Sequence, residues 1–149
     1  MITTAHRRAF APPATTPRWL IVAIELVIAV NAVGGAIYGL AGAENVPREW
    51  PEGTPFDSYL IPSLILLVAV GGSMGAAALA LLTRRRCAPA LSVVAGVILV
   101  AWITTQIVII VPDGGFSWLQ PTMLAAGLLV AALGWRLRRG QRSFCEGRS

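Results

Sequence analysis

Residues Ser58 to Arg86 read SYLIPSLILLVAVGGSMGAAALALLTRRR, and no charged side chain occurs between Tyr59 and Thr83. At ~1.5 Å rise per residue, a run of that length covers the ~30 Å hydrocarbon core of a bilayer with tilt to spare. Its two ends differ. Ser58, Tyr59 and Pro62 mark a helix start at a membrane surface, whereas Arg84, Arg85 and Arg86 belong in the cytoplasm by the positive-inside rule. The same order returns later in the chain. Ser58-Tyr-Leu-Ile-Pro-Ser63 is matched by Ser117-Trp-Leu-Gln-Pro-Thr122, followed again by an apolar run and an arginine cluster. Two helical hairpins related by an axis along the membrane normal are one reading of that match. The other is convergence, because helix starts at an outer surface favour Ser, aromatics and Pro.

Composition agrees. Of 149 residues, 56% are hydrophobic and 13% charged, against about a quarter charged in a soluble domain. All 12 basic residues are arginines, and the formal net charge is +5. Nucleic acid is not the expected partner, because the arginines sit at the ends of apolar runs, where they set topology and meet anionic headgroups.

The expected fold is all-α, a polytopic four-helix bundle with both termini cytoplasmic in the cell inner (plasma) membrane. Its segments are a disordered tail over 1–17 and a membrane domain over 18–139, followed by a cytoplasmic tail over 140–149. Spans are expected at about 19–41, 59–83, 89–111 and 117–137, with an outer loop over 43–58. Arg7, Arg8, Arg18, Arg84 to Arg86, Arg136, Arg138, Arg139, Arg142 and Arg148 then fall on one side, and only Arg48 on the other. The first run is longer than a signal-peptide core and holds Glu25 and Asn31, so it is expected to stay uncleaved. Ser117 and Gln120 have the spacing of a capping box. Helix contacts are expected at small residues, at Gly35-xxx-Gly39, at Gly71-xxx-Gly75 and at Gly127.

Glu25 is the foremost candidate for chemistry. It lies ~9 Å below Trp19 by helical rise, where a carboxylate has to be neutralised, paired or turned to a wet cavity. Ala29, Ala32, Ala36 and Gly39 share its face, which points to burial. It could couple protons or bind a ligand, or it could pair with Arg84, Arg85 or Arg136. Asn31, Trp102, Thr104, Thr105, Gln106 and Gln120 could line a small outward pocket roofed by Trp50, Phe56, Tyr59 and Trp118. The bland reading is that the amides hydrogen-bond neighbouring helices and the aromatics anchor the interface.

No catalytic set is visible: there is no G-x-S-x-G, P-loop or H-E-x-x-H, and no buried carboxylate pair. Cys87 and Cys145 form no CxxC, and His6 stands alone, so no metal, cofactor or disulfide is expected.

GTPFDSYLIPSLIL with the following GGS, and SWLQP before the last span, resemble small four-span membrane proteins of actinobacteria. The resemblance covers about Leu20 to Arg138 and implies fold and location, without catalytic residues. The chain also resembles small multidrug-resistance transporters, which have four short spans and a membrane glutamate that would correspond to Glu25. It departs from them in its long outer loop, its strong charge bias and its N-terminal tail. A DoxX-like membrane protein shares the helix count. The leading expectation is a non-enzymatic membrane protein that binds a lipid or small apolar ligand, or serves as a subunit of a homo-oligomer or larger membrane complex. The alternative is a proton-coupled small-molecule exporter using Glu25.

Overall fold

A computed structural model describes residues 18–42, 60–110 and 118–146. In lipid every backbone polar group must be satisfied within the segment, and a helix does this. Accordingly, the described residues form four helices: α1 (Arg18–Leu40), α2 (Leu60–Leu82), α3 (Ala88–Ile110) and α4 (Leu119–Glu146). The first three lie within a residue or so of the expected spans. The tail over 1–17, the outer loop with Trp50, Phe56 and Tyr59, and Ser117 of the expected capping box lie outside the described residues.

Hydroxyls inside these apolar helices are satisfied at home. Thr104, Thr105 and Thr122 each donate to the carbonyl four residues back, at 2.7, 2.9 and 2.8 Å. α2 has one irregularity. Leu66–Gly72 is wound as a π-helix between α-helical flanks. The Gly71-Gly72 pair offers little side-chain packing to hold the α register. The wide turn sets Gly71 against α1, where an added Cβ would stand 3.5 Å from Ala32 Cβ and 3.8 Å from the Ala29 carbonyl. Ser73 closes the stretch by donating its hydroxyl to Val70 O at 3.1 Å.

α2 ends in a Schellman turn. Arg85 N donates to Ala80 O at 2.9 Å and Arg84 N to Leu81 O at 3.1 Å, with Arg84 left-handed at φ 54°. Arg18, from the start of α1, donates Nη2 to the Leu81 carbonyl and caps the same helix end. α3 follows at once, with Pro89 in its first turn.

The helices run up, down, up, down. One end gathers Ile21, Val22, Ala80, Leu81, Ala88 and Leu133, beside Arg18 and the Arg84–Arg86 turn. The middle packs Ile28, Ala32, Val70, Met74, Ala77, Ala95, Leu99 and Val130. α3 and α4 make the closest contact. A Cβ on Gly96 would meet Ala131 N and Gly127 O at 2.7 Å, and one on Gly134 would meet Ser92 Cβ at 2.9 Å and Pro89 O at 3.0 Å. Gly127 belongs to this seam as expected, but a Cβ added at Gly75 would meet nothing within 4 Å.

Large apolar side chains face outward along every helix. Trp19 is 73% exposed, Val30 71% and Val68 70%. A soluble monomer would not present such a surface. α1, α2 and α3 are long and apolar enough to cross a membrane. α4 is not among them: Gln120, Pro121 and Thr122 at its start and Arg136, Arg138 and Arg139 near its end shorten its apolar part. It also continues as helix to Glu146, beyond the expected limit of the span at 137. The protein is thus a multi-pass helical membrane protein with at least three candidate spans and a packed four-helix core.

Candidate functional site

Away from the arginine-rich end, the helices leave a cavity of about 210 Å³. α1 contributes Ile28, Asn31, Ala32 and Gly35, and α2 contributes Leu66 and Val70 from its π-helical stretch. α3 adds Leu99, Ile103 and Gln106, and α4 adds Leu119, Gln120 and Met123. Among the described residues the wall is apolar except for three amides, those of Asn31, Gln106 and Gln120. Gly35 marks a close approach of α1 and α2 in the cavity wall. A Cβ there would sit 3.0 Å from Leu66 Cδ2, so Leu66 leans into room that any larger residue would take.

The other sequence candidates are distributed unevenly. Trp102 packs against the central core rather than lining the cavity, and its buried Nε1 has no hydrogen-bond partner among the described residues. Thr105 is exposed and bonded to Ala101 O, away from the cavity. Trp118, 82% exposed, lies just before Leu119 of the cavity wall. Trp50 and Tyr59 lie outside the described residues.

Glu25 is fully buried on α1, between the two apolar layers of the core and one turn from Ile28 at the cavity wall. Neither of its oxygens has a hydrogen-bond partner among the described residues, so Arg84, Arg85 and Arg136 do not hold it. Ser92, also fully buried, faces it from α3, but the Ser92 hydroxyl donates instead to Ala88 O at 3.3 Å. Sequence reading overlooked Ser92. Its spacing from Gly96, a small-xxx-small pair on α3, was the available signal.

Among the described residues no group of His, Cys, Asp and Glu could hold a metal ion. The chemistry on offer is apolar burial with a few amide hydrogen bonds, and one buried carboxyl nearby. No protein-family model, curated protein or solved structure matches this chain.

Proposed function

We propose that the protein is a four-span inner-membrane protein that binds a small apolar ligand with one hydrogen-bonding end. The observation that carries this reading is the cavity: about 210 Å³, apolar, with the amides of Asn31, Gln106 and Gln120 in its wall. Ligand sites are typically preformed apolar hollows with a few placed polar groups, and ~300 Å³ or more is usual for drug-sized molecules. A cavity of ~150 Å³ suffices for benzene. The ligand is therefore smaller than a drug, either a free molecule or the end of a lipid chain entering from the bilayer.

The reading of α4 as the fourth span rests on its course. It runs antiparallel to α3 from the cavity, at Gln120 and Met123, down to Gly134 beside Pro89. An apolar helix that crosses takes such a neighbour with it. The arginines at the end shared by Arg18, Arg84 to Arg86 and Arg136 support a cytoplasmic placement of that end, and so of both termini. Membership of the small four-span actinobacterial family remains part of this proposal.

The test is a thermal-shift titration of the purified full chain with short alcohols and small aromatic alcohols. The parent gains stability saturably, and Gly35→Leu, whose side chain fills the space beside Leu66, abolishes that gain. An equal response in both proteins would indicate partition into the detergent and refute a ligand site.

A second reading is favoured by the unpartnered oxygens of Glu25. A membrane carboxyl without an ion pair is the group a proton-coupled exporter needs. Proteoliposomes with an imposed pH gradient would then accumulate an organic cation, and Glu25→Gln would not. An absence of gradient-driven transport with the parent protein removes this reading.

A further inference from the structure

We propose that the crevice between the start of α1 and the end of α2 binds the phosphate group of an anionic membrane lipid. This site is separate from the amide-lined cavity and does not depend on its ligand.

The crevice measures about 50 Å³ and is lined by Arg18, Trp19, Val22, Leu81, Leu82 and Arg84. Among the described residues its wall holds two arginines and no acidic residue. One guanidinium is only partly used. Arg18 gives Nη2 to the Leu81 carbonyl, while its Nε is buried and has no partner among the described residues. A buried N–H of a charged group left without an acceptor is costly, and an anionic oxygen is the acceptor that suits it best. Arg84 stands on the other wall in a left-handed conformation, at φ 54°, that a glycine would hold more cheaply. An arginine in that place supplies a second positive group where glycine would supply none. Guanidinium pairs suit phosphate geometry, because each presents donors in a planar fork.

The surroundings select a lipid as the source of that phosphate. Trp19 is 73% exposed and Leu82 44%, and together they flank the crevice with apolar surface on which a glycerol backbone and first methylenes can lie. The volume admits a compact tetrahedral group and leaves the chains outside, along α1 and α2.

The test is native mass spectrometry of the full chain in detergent, titrated with phosphatidylglycerol, phosphatidylcholine or inorganic phosphate. Phosphatidylglycerol is expected to bind in preference to phosphatidylcholine. Arg84→Gln and Arg18→Lys should each lower its affinity by about tenfold, the worth of one charge-assisted hydrogen bond to the phosphate. Arg18→Lys keeps the charge and the reach to Leu81 but removes the Nε donor. Arg86→Gln, with the same charge change outside the crevice, should leave affinity within about twofold. An equal loss in Arg86→Gln would mean diffuse attraction and overturn the site, as would equal binding of phosphatidylcholine. Inorganic phosphate that binds as tightly, with the same dependence on Arg18 and Arg84, would overturn the lipid assignment.

Discussion

Gly96→Ala should weaken the bundle by about 2 kcal/mol, although it adds one methyl group in a favourable helix position. The methyl would stand 2.7 Å from Ala131 N and Gly127 O, both backbone atoms that no rotamer change can move. Ordinary contact begins at 3.4 Å, so α3 and α4 have to part by about 0.7 Å. A gap of ~0.5–1 Å forfeits a quarter to a half of each van der Waals contact, which is worth ~0.1–0.2 kcal/mol. If the seam holds on the order of 40 such atom pairs, comparable with one buried leucine, the loss is roughly 2 kcal/mol. In lipid no hydrophobic term makes up for it, because solvent and side chain are equally apolar. Gly75→Ala is the control: a Cβ there meets nothing within 4 Å. It should be neutral or stabilising by ~0.5–1 kcal/mol, the backbone entropy glycine loses in a helix. The assay is reversible unfolding in bicelles against rising SDS mole fraction, followed by tryptophan fluorescence. Equal stability of Gly96→Ala and the parent, or an equal loss in both variants, would refute the close seam.

Three more predictions test other parts of the structure. Glu25→Leu replaces two unpartnered buried oxygens with an apolar group of similar volume and should raise stability by ~1–3 kcal/mol in the same assay; a loss of stability would show that the carboxyl has a partner. Arg84→Gly relieves the left-handed strain and should stabilise by about 1 kcal/mol in zwitterionic detergent, where lipid binding does not intervene; an unchanged midpoint would show no strain at that residue. Cys87 is free and exposed in the α2–α3 turn, so with Cys145→Ser a membrane-impermeant maleimide should label inverted vesicles and not intact cells. Labelling in intact cells would reverse the proposed topology.

The helices were legible in the sequence because lipid imposes them: an uncharged run such as Tyr59 to Thr83 has one way to satisfy its backbone. The burial of Glu25 was legible for a related reason, since small residues at helical spacing mark the face that meets other helices. What lay beyond reach was the choice among equivalent small residues. Gly71 and Gly75 look alike in sequence, yet only at Gly71 would an added Cβ meet a neighbour, and the tightest contact fell to Gly96 and Gly134 on helices with no double-glycine signal. The amides beside the cavity were nominated chiefly by depth, and the face shared by Trp102 and Gln106 placed only Gln106 at the wall. Thr105 was nominated the same way and faces outward, because one residue of helix is ~100° of rotation and depth says nothing of azimuth.

The wide turn at Leu66–Gly72 acts as a phase slip. An inserted residue in a π-helical turn offsets everything before it from everything after by roughly the rotation of one residue, ~100°. The first turns of α2 and its last turns are therefore indexed independently: Leu66 can be aimed at Gly35 while Met74, Ala77 and Leu81 stay locked in the core. Deleting one residue inside the stretch would restore the common phase and swing Leu66 away from α1. The hollow beside it would then lose a wall while the arginine-rich half of the bundle kept its registration. Lengthening or shortening this helix by one residue is thus a change of aim rather than of reach.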